Sequence, residues 1–436
     1  MTELKRYVRL NPRFDRDETM SLLKAEIVQQ STTDGTGAQN KYPVPVDWLR
    51  PTKDDGQFEF YAIPGDFSLN RSSSFQSGRV YGMDVTSGAA VLALLFDTYD
   101  CNESVKPADG KESTRDDELQ LRVLDLCCAP GLKLCMLADL APPSSTVVGV
   151  DISQNRIQLC KNIIKKYHVH QITSGPKLAV GNNNDQASSS SSHPTIRLYC
   201  TDGTHFGTKQ LSGLVFDSNA EKQELQSRGK RKRQNKSARA REKRRLLELQ
   251  HQEMGADSTN VGPEKEKSDD SMPNRSLVTN TCCIPLFDRV LVDAECSTDG
   301  AIRHIEKREA SSKAPLWNDS NMSELVDLQK RLIESGFRLL KSGGSLVYST
   351  CSLNEKQNEN VVCWLLEKYN DSFIIPVSFS KQNDSEQIPS FVEEGSLAGT
   401  IRFNPLTNEN ANKGVEEECL PGTGFFLSKI GKKGYI

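Results

Sequence analysis

The sequence predicts an α/β fold with an open, mainly parallel β-sheet. Residues 122–140 carry the clearest pattern: a short apolar run containing Asp125, then small turn-forming residues, then apolar residues at helical spacing. A second apolar run, residues 147–153, carries Asp151 near its end. Apolar runs and helical patterns alternate in the same way to the end of the chain, which is typical of a parallel sheet covered by helices.

The elements follow in order along the chain. Apolar residues three and four positions apart predict an amphipathic helix that begins near Asp17. Further helices are predicted at 87–96, 134–140, 154–167, 325–340 and 359–369, and further strands at 196–206, 287–300 and 345–353. The strand at 196–206 is expected to end at Asp202. The last apolar segment, residues 422–430, is predicted to be an edge strand.

Composition limits the class of protein. With 36% apolar and 26% charged residues, the chain fits a soluble globular protein that carries disordered segments. It has no run of about 18 apolar residues, and its N-terminus lacks the apolar core of a secretory signal. The twelve cysteines form no CxxC pair and the six histidines show no metal-ligand spacing. We therefore expect a reducing intracellular compartment rather than a disulfide framework, and no metal.

Charge and low-complexity tracts divide the chain. We predict an N-terminal segment at 1–77, two parts of one core at 78–216 and 281–436, a flexible insert at 173–193 and a basic disordered insert at 217–280. Within the basic insert, residues 228–245 hold eleven Lys or Arg and one Glu, in a chain of formal net charge −3.

This basic block suits a nuclear import signal centred on Lys230 to Arg233, or a clamp on an RNA backbone. An inert linker is the alternative. We expect the nucleus, including the nucleolus, as the location and an import receptor as a partner, with the cytoplasm as the alternative location.

The turn after residues 122–126 predicts a binding site for a nucleoside-containing cofactor. An acid at the end of the second strand of a βαβ unit, here Asp151, is placed to accept hydrogen bonds from ribose hydroxyls. The phosphate-binding G-x-G-x-x-G pattern is absent. Its absence argues against a dinucleotide and favours a cofactor without a pyrophosphate, such as S-adenosylmethionine. An ordinary strand–turn–helix without a ligand is the alternative.

Two predicted strands end alike. Cys296 follows Asp293 in LVDAECS, and Cys351 follows Thr350 in LVYSTCS. Because ligands gather at the carboxyl ends of strands in an open α/β sheet, we expect both thiols near the cofactor. Either cysteine alone fits an inert buried filler, whereas two at equivalent strand ends favour a role in chemistry.

These motifs resemble those of a known family. VLDLCCAPGLK, VVGVDIS, DAECS, LQKRLIESGFRLLKSGGSLVYSTCS and the following ENVV are similar to the Nop/Sun (RsmB-like) family of RNA cytosine-5 methyltransferases. The resemblance covers residues 7–13 and 78–430, interrupted by the inserts. It implies a Rossmann-like methyltransferase core, S-adenosylmethionine as the cofactor and RNA, transfer or ribosomal, as the substrate.

The resemblance also implies roles for individual residues. Cys351 would be the nucleophile, Cys296 the thiol that assists product release, and Asp293 a contact to both cofactor and base. The cofactor would be held by Cys128, Ala129, Pro130, Gly131, Leu132, Lys133, Asp151, Arg156, Asp202 and Asp293.

The N-terminal segment YVRLNPR is similar to the family's RNA-contacting segment. Arg9, Asn11 and Arg13 would then contact RNA. Taken without the resemblance, this short segment fits a solvated basic turn better.

A thiol suits the implied reaction because carbon 5 of cytosine is a poor nucleophile. A thiolate that adds to carbon 6 breaks the conjugation and makes carbon 5 enamine-like. We expect electropositive surroundings to lower the pKa of Cys351 toward the reactive range.

The sequence departs from the family pattern at three places. Glu295 replaces the proline before the first cysteine, Leu132 replaces a glycine of the cofactor loop, and the downstream glycine motif is stretched to STDG. We expect the Glu295 carboxylate to lie near the amino group of the cytosine. Because both cysteines are present, an active enzyme is expected. The alternative is a catalytically silent RNA-binding factor of the same fold that acts in ribosome assembly.

Overall fold

The computed structural model describes residues 5–30, 42–49, 59–96, 120–169, 193–208, 213–221, 286–301, 305, 321–377, 379, 391–404 and 423–434. Met1–Asp217 and Ile284–Ile436 form one unit, and Ser218–Cys283 form a second, of which residues 218–221 are described. The predictions for residues 173–192 and 222–280, including the basic block at 228–245, lie outside the described residues.

The N-terminal part is a four-stranded antiparallel sheet in the order β2–β3–β1–β4. Its strands are β1 (Arg6–Leu10), β2 (Val44–Pro45), β3 (Phe60–Ile63) and β4 (Val80–Gly82). Helix α1 (Arg16–Gln30), found where the sequence predicts it, packs Leu23 and Ile27 against this sheet, and α2 (Ser73–Gln76) is a single turn. The strands are too short to show an alternating pattern, so the sequence did not predict them.

The core is a ten-stranded sheet in the order β12–β13–β14–β10–β9–β5–β6–β7–β8, with β11 also paired to β14. Its strands are β5 (Arg122–Asp125), β6 (Thr146–Asp151), β7 (Thr195–Cys200), β8 (Leu214–Asp217), β9 (Phe287–Asp293), β10 (Leu340–Thr350), β11 (Ser372–Ile375), β12 (Val392–Glu394), β13 (Ile401–Phe403) and β14 (Phe425–Lys432). The five central strands, β10, β9, β5, β6 and β7, are parallel. The predicted α/β class with an open, mainly parallel sheet is confirmed.

Helices cover both faces of this sheet. On one face lie α3 (Val85–Leu95), α4 (Leu132–Leu140) and α5 (Gln154–Lys166), and on the other α6 (Met322–Leu339) and α7 (Glu359–Lys368). Neighbouring residues of the central strands alternate between the two cores, as Val123 and Leu124 do in β5. All five helices agree in type and approximate position with the sequence prediction.

Two strand predictions need correction. The C-terminal strand β14 is not an edge strand, because β10 pairs with one side of it and β11 and β13 pair with the other. The short strands β11 and β13 that cover it have no recognisable sequence pattern. The strand predicted to reach Asp202 ends at Cys200, and Asp202 instead caps a short 3₁₀ turn.

Within the described residues, no helix is long and apolar enough to cross a membrane. The same part of the chain contains no group of three or more His, Cys, Asp or Glu residues arranged to hold a metal ion.

Candidate active site

A cavity of about 550 Å³ lies at the carboxyl ends of the central parallel strands. Asp151 at the end of β6, Asp293 at the end of β9 and Cys351 just after β10 all line it. A smaller cavity of about 180 Å³ adjoins it and shares Asp293 and part of the loop after β5. Cavities of this size suit a small-molecule ligand, and ligands of open α/β sheets bind at this end of the strands.

The loop after β5 takes its shape from Gly131, whose φ of 112° lies in the left-handed region. A Cβ at this position would also lie 3.2 Å from the Cα of Cys160. Leu132 is the first residue of α4, so a non-glycine residue is accommodated where the sequence departs from the family pattern. The carbonyl of Ala129 accepts a hydrogen bond of 2.9 Å from Arg156, which ties the loop to α5.

Asp151 ends β6 with its side chain almost fully buried. Its Oδ1 accepts a 2.9 Å hydrogen bond from the backbone N–H of Ser153, and Arg156 Nη1 lies 3.5 Å from Oδ2. The next residue, Ile152, is 69% exposed and gives the cavity an apolar surface. Ile152 could not be predicted from the sequence, because one exposed apolar residue after a strand has no distinguishing pattern.

Asp202 follows β7 and lines the same cavity. Its Oδ1 accepts hydrogen bonds from the backbone and hydroxyl of Thr204 at 2.9 and 2.8 Å. Partial burial opposes ionisation, but hydrogen bonds from His205 and Thr204 outweigh it and lower the pKa of Asp202. A Cβ at Gly203 would lie 3.1 Å from the carbonyl oxygen of Leu126 and 3.1 Å from a methyl carbon of Leu332, so glycine lets this turn pack closely against both residues.

Asp125 ends β5 and lines the smaller cavity. Its carboxyl group is buried, and among the described residues neither oxygen has a hydrogen-bond partner of ordinary geometry. The backbone N–H of Cys127 nevertheless acts to lower its pKa. Burial and the nearby Asp293 raise the pKa of Asp125 to about 8, against the opposing charge of Lys133. Because a buried polar group without a partner is costly, this position fits a ligand group that donates hydrogen bonds.

Lys133 and Asp293 form an ion pair where the two cavities meet. Lys133 Nζ lies 2.8 Å from Asp293 Oδ2, and the hydroxyl of Ser349 donates to Asp293 Oδ1 at 2.7 Å. Burial alone would lower the pKa of Lys133, but the attraction of Asp293 outweighs it and the pKa is raised. The pair fixes the carboxylate beside the loop that carries Cys296.

The thiols of Cys296 and Cys351 are in contact, with their Sγ atoms 2.8 Å apart. They follow the neighbouring parallel strands β9 and β10, where Asp293 is in register with Ser349. The contact with Cys296 and burial raise the pKa of Cys351, with Lys133 opposing the shift. The expected lowering of the Cys351 pKa is therefore not found in this structure, because the thiol of Cys296 and the nearby Asp293 outweigh the ammonium group of Lys133.

Glu295 lies between Asp293 and Cys296 in the loop that lines the larger cavity, and it is exposed. Its backbone carbonyl accepts a 2.8 Å hydrogen bond from the side-chain amide of Gln329. The sequence identified Glu295 as a departure from the family pattern, but it gave no indication of the Gln329 contact.

Arg9, Asn11 and Arg13 are not displayed toward a solvent-facing surface, in contrast to the expectation that they contact RNA. Both guanidinium groups pair with Asp139 of α4, and the side chain of Arg9 is 0% exposed. The Asn11 amide donates to the backbone carbonyls of Gly78 and Tyr167 at 2.8 and 3.1 Å. These residues instead join the N-terminal sheet to the core, since a buried cation needs a counter-charge.

The chain matches a family model of known proteins. The family model described as 16S rRNA methyltransferase RsmB/F matches residues 113–178 and 232–413, together more than half of the chain. The ribosomal RNA small subunit methyltransferase F of Shewanella piezotolerans is 42% identical over 153 residues, which are 35% of this chain and 27% of that protein. The protein of the same name from Escherichia coli O157:H7 is 41% identical over 87 residues, which are 20% and 17% of the two chains.

These alignments span less than a third of the curated relatives' own length. Among solved structures, NSun6 from Pyrococcus horikoshii with SFG matches with a TM-score of 0.51 and 14% sequence identity. The match covers 99% of this chain and 92% of that chain. At this identity the likeness shows a common fold.

Proposed function

Since the chain belongs to the family of 16S rRNA methyltransferases RsmB/F, we propose that it transfers a methyl group from S-adenosylmethionine to carbon 5 of a cytosine in RNA. The observation that carries this proposal is the contact between Cys296 and Cys351 at the cavity. Thiol addition to carbon 6 is a direct way to make carbon 5 nucleophilic, and a second thiol beside the first suits the release step. The substrate is a transfer or ribosomal RNA.

The two adjoining cavities fit S-adenosylmethionine, which supplies an electrophilic methyl group when bound. Asp151 would accept hydrogen bonds from the ribose hydroxyls, as acids at this strand end do. The exposed apolar surface of Ile152 suits the adenine ring, with Asp202 as the acceptor for its amino group. The buried carboxyl of Asp125 suits the ammonium group of the methionine part, beside the loop 128–133.

Cys351 is the proposed nucleophile. Its thiol must lose a proton before the sulfur adds to carbon 6 of the base, because the thiolate is the attacking form. Lys133 is the cation that favours the thiolate here, and Asp293 and Cys296 oppose it. We therefore infer that the thiolate forms once RNA and cofactor are in place, when the positive sulfonium of the cofactor adds to the charge of Lys133 and the base replaces part of the thiol–thiol contact.

Cys296 is the proposed thiol for release. After methyl transfer, a base must take the proton from carbon 5. The electron pair of that C–H bond then forms the carbon 5–carbon 6 double bond, and the Cys351 sulfur leaves carbon 6 as a thiolate. Cys296 is 6% exposed and touches Cys351, so it lies beside the adduct that this elimination must resolve. Asp293, held by Lys133 and Ser349, borders the same space and would contact both base and cofactor.

Incubation of the purified protein with methyl-labelled S-adenosylmethionine and bulk RNA tests the activity. Label recovered as 5-methylcytosine supports the proposal. RNA binding without label would favour the catalytically silent RNA-binding factor instead. Bisulfite sequencing of RNA from cells that lack the protein would then identify the modified cytosine and its RNA.

Two proposals concern residues beyond this cavity. Residues 1–77 position the substrate RNA. Because Arg9, Asn11 and Arg13 are engaged within the protein, this proposal assigns the RNA contact to the N-terminal sheet as a whole. The basic block at 228–245 directs the protein to the nucleus and also holds the RNA backbone by charge.

A further inference from the structure

Two buried glutamines hold the main chain on both sides of Cys296. Gln329, in α6, donates from Nε2 to the carbonyl of Glu295 at 2.8 Å. Gln357 accepts a 3.0 Å hydrogen bond at Oε1 from the backbone N–H of Ser297 and donates from Nε2 to its hydroxyl at 2.7 Å. Both glutamines are 0% exposed. The residue before Cys296 and the residue after it are therefore each fixed by a side-chain amide.

The same amides connect the loop of Cys296 to the segment that follows Cys351. Gln357 lies in the turn after Cys351, where its backbone carbonyl accepts a 2.6 Å hydrogen bond from the hydroxyl of Tyr348 in β10. Nε2 of Gln329 also contacts Oε1 of Gln357 at 3.2 Å. One buried network thus joins α6 and the two cysteine-bearing segments, and it fixes the separation of their thiols.

Stability alone does not explain why an amide occupies position 329. Oε1 of Gln329 is buried and has no hydrogen-bond partner in the described part of the chain. An apolar side chain of similar size would avoid this cost. The amide contributes something that such a side chain lacks, which is the hydrogen bond to the Glu295 carbonyl.

We propose that Gln329 and Gln357 are positioning residues that hold the Cys296 thiol against Cys351 for the release step. This inference rests on the release role proposed above for Cys296. Weakening the network lets the Glu295–Ser297 segment move, which displaces the Cys296 thiol but leaves Cys351 at the end of its strand. The first step then continues, release slows, and the covalent protein–RNA adduct accumulates.

The main variant is Gln357→Met, which has a similar size and removes both the acceptor for the Ser297 N–H and the donor to its hydroxyl. Gln329→Met removes the donor to the Glu295 carbonyl and leaves no unpartnered Oε1. Displacement of a reacting group by about an ångström can cost on the order of a hundredfold in rate. We expect both variants to accumulate the RNA adduct on denaturing gels, with cofactor affinity unchanged.

Ser335→Ala is the matched control, because Ser335 is a buried polar residue of the same helix that donates to the Gly203 carbonyl at 2.7 Å. If the substitutions acted only by destabilising α6, the control would behave as Gln329→Met does. The control is expected to alter the affinity for S-adenosylmethionine without accumulating adduct. Equal adduct in the control and in the glutamine variants would overturn the positioning role.

A second measurement separates this inference from the proposed role of Cys296. Diamide oxidises two neighbouring thiols to a disulfide and is itself reduced to the hydrazine, so the rate of Cys296–Cys351 cross-linking reports how well the thiols are held together. We expect slower cross-linking in both glutamine variants than in the wild type and Ser335→Ala. Unchanged cross-linking would refute the inference. If cross-linking slows in the glutamine variants but Cys296→Ala traps no adduct, the positioning role is supported and only the release role is refuted.

Discussion

Arg9 and Asp139 form an ion pair in which both side chains are fully buried, although they are 130 residues apart in the chain. Arg13 pairs with the other carboxylate oxygen, and the hydroxyl of Tyr81 donates to Asp139 at 3.0 Å. The Arg9 guanidinium also lies 4.0 Å from the centre of the Tyr81 ring. A single acid in α4 therefore compensates two cations of the N-terminal sheet.

Asp139→Asn should destabilise the protein strongly. Burial alone would raise the pKa of Asp139, but the two arginines outweigh it and keep the pKa below its usual value. Removing the carboxylate charge leaves buried cations uncompensated, which typically costs about 3–5 kcal/mol. Urea denaturation measures the loss. Glu59→Gln is the control, because it weakens an ion pair with the half-exposed Arg16 and should cost about 1 kcal/mol or less. Equal losses in the two variants would contradict this account of Asp139.

Asp125 should make the stability of the protein depend on pH. Its pKa of about 8 in the folded state lies above the ordinary value of 3.8, so the folded protein retains a proton that the unfolded chain loses between these values. The contribution of the Asp125 carboxyl group to the free energy of unfolding is therefore fully present below pH 3.8. This contribution is lost as the pH rises through about 8.

The test is urea unfolding of the cofactor-free protein at several pH values between these limits. Asp125→Asn, which stays neutral, should lose less stability than the wild type as the pH rises. Identical pH profiles for the two proteins would show that Asp125 does not titrate in this range.

Sequence patterns predicted the parallel core because each central element has a strong local signal. The apolar run that ends at Asp125 and the amphipathic residues of α6 are examples. The N-terminal sheet was missed, since β2 has two residues and β4 has three. Pairing between such short strands depends on contacts distant in sequence, which no local pattern encodes.

Only part of the candidate site could likewise be predicted from the sequence. Residues at or just after strand ends, such as Asp151, Cys296 and Cys351, could be placed together because parallel strands end at one edge of a sheet. Gln329 and Gln357 could not, because a buried glutamine in a helix or turn looks like a surface residue in sequence. The buried state of Arg9 was likewise hidden, since its partner Asp139 lies in a distant helix.

Glu295 is expected to help select cytosine. Its carboxylate would accept a hydrogen bond from the cytosine amino group and repel the oxygen that uracil carries there. Glu295→Gln keeps an acceptor but loses its charge, so it should lower kcat/KM on cytosine-containing RNA by about 10-fold. The ratio of methylated cytosine to methylated uracil in matched RNAs should also fall.

Glu393→Gln is the control for this substitution, because Glu393 is an exposed acid of β12 that does not line the cavity. Full activity and unchanged base preference in Glu295→Gln would mean that only the backbone of residue 295 matters.

Deletion of residues 228–245 should redistribute a tagged protein from nucleus to cytoplasm and weaken RNA binding. Contacts between cations and phosphates release counterions, so the deletion should also flatten the dependence of RNA affinity on salt. Turnover at saturating RNA should survive, because the proposed catalytic residues lie elsewhere. A deletion variant that stays nuclear and keeps the wild-type salt slope would show that the block is an inert linker.

The central claim is that Cys351 forms the covalent bond to RNA and Cys296 resolves it. The most direct measurement compares Cys296→Ala and Cys351→Ala after incubation with RNA and S-adenosylmethionine, on a denaturing gel that separates cross-linked from free protein. Cys296→Ala should accumulate a covalent protein–RNA adduct, because elimination stalls. Cys351→Ala should form no adduct and no 5-methylcytosine, with nearly unchanged cofactor affinity. An adduct in Cys351→Ala but not in Cys296→Ala would reverse the roles, and methylation that survives in Cys351→Ala without any adduct would contradict the account.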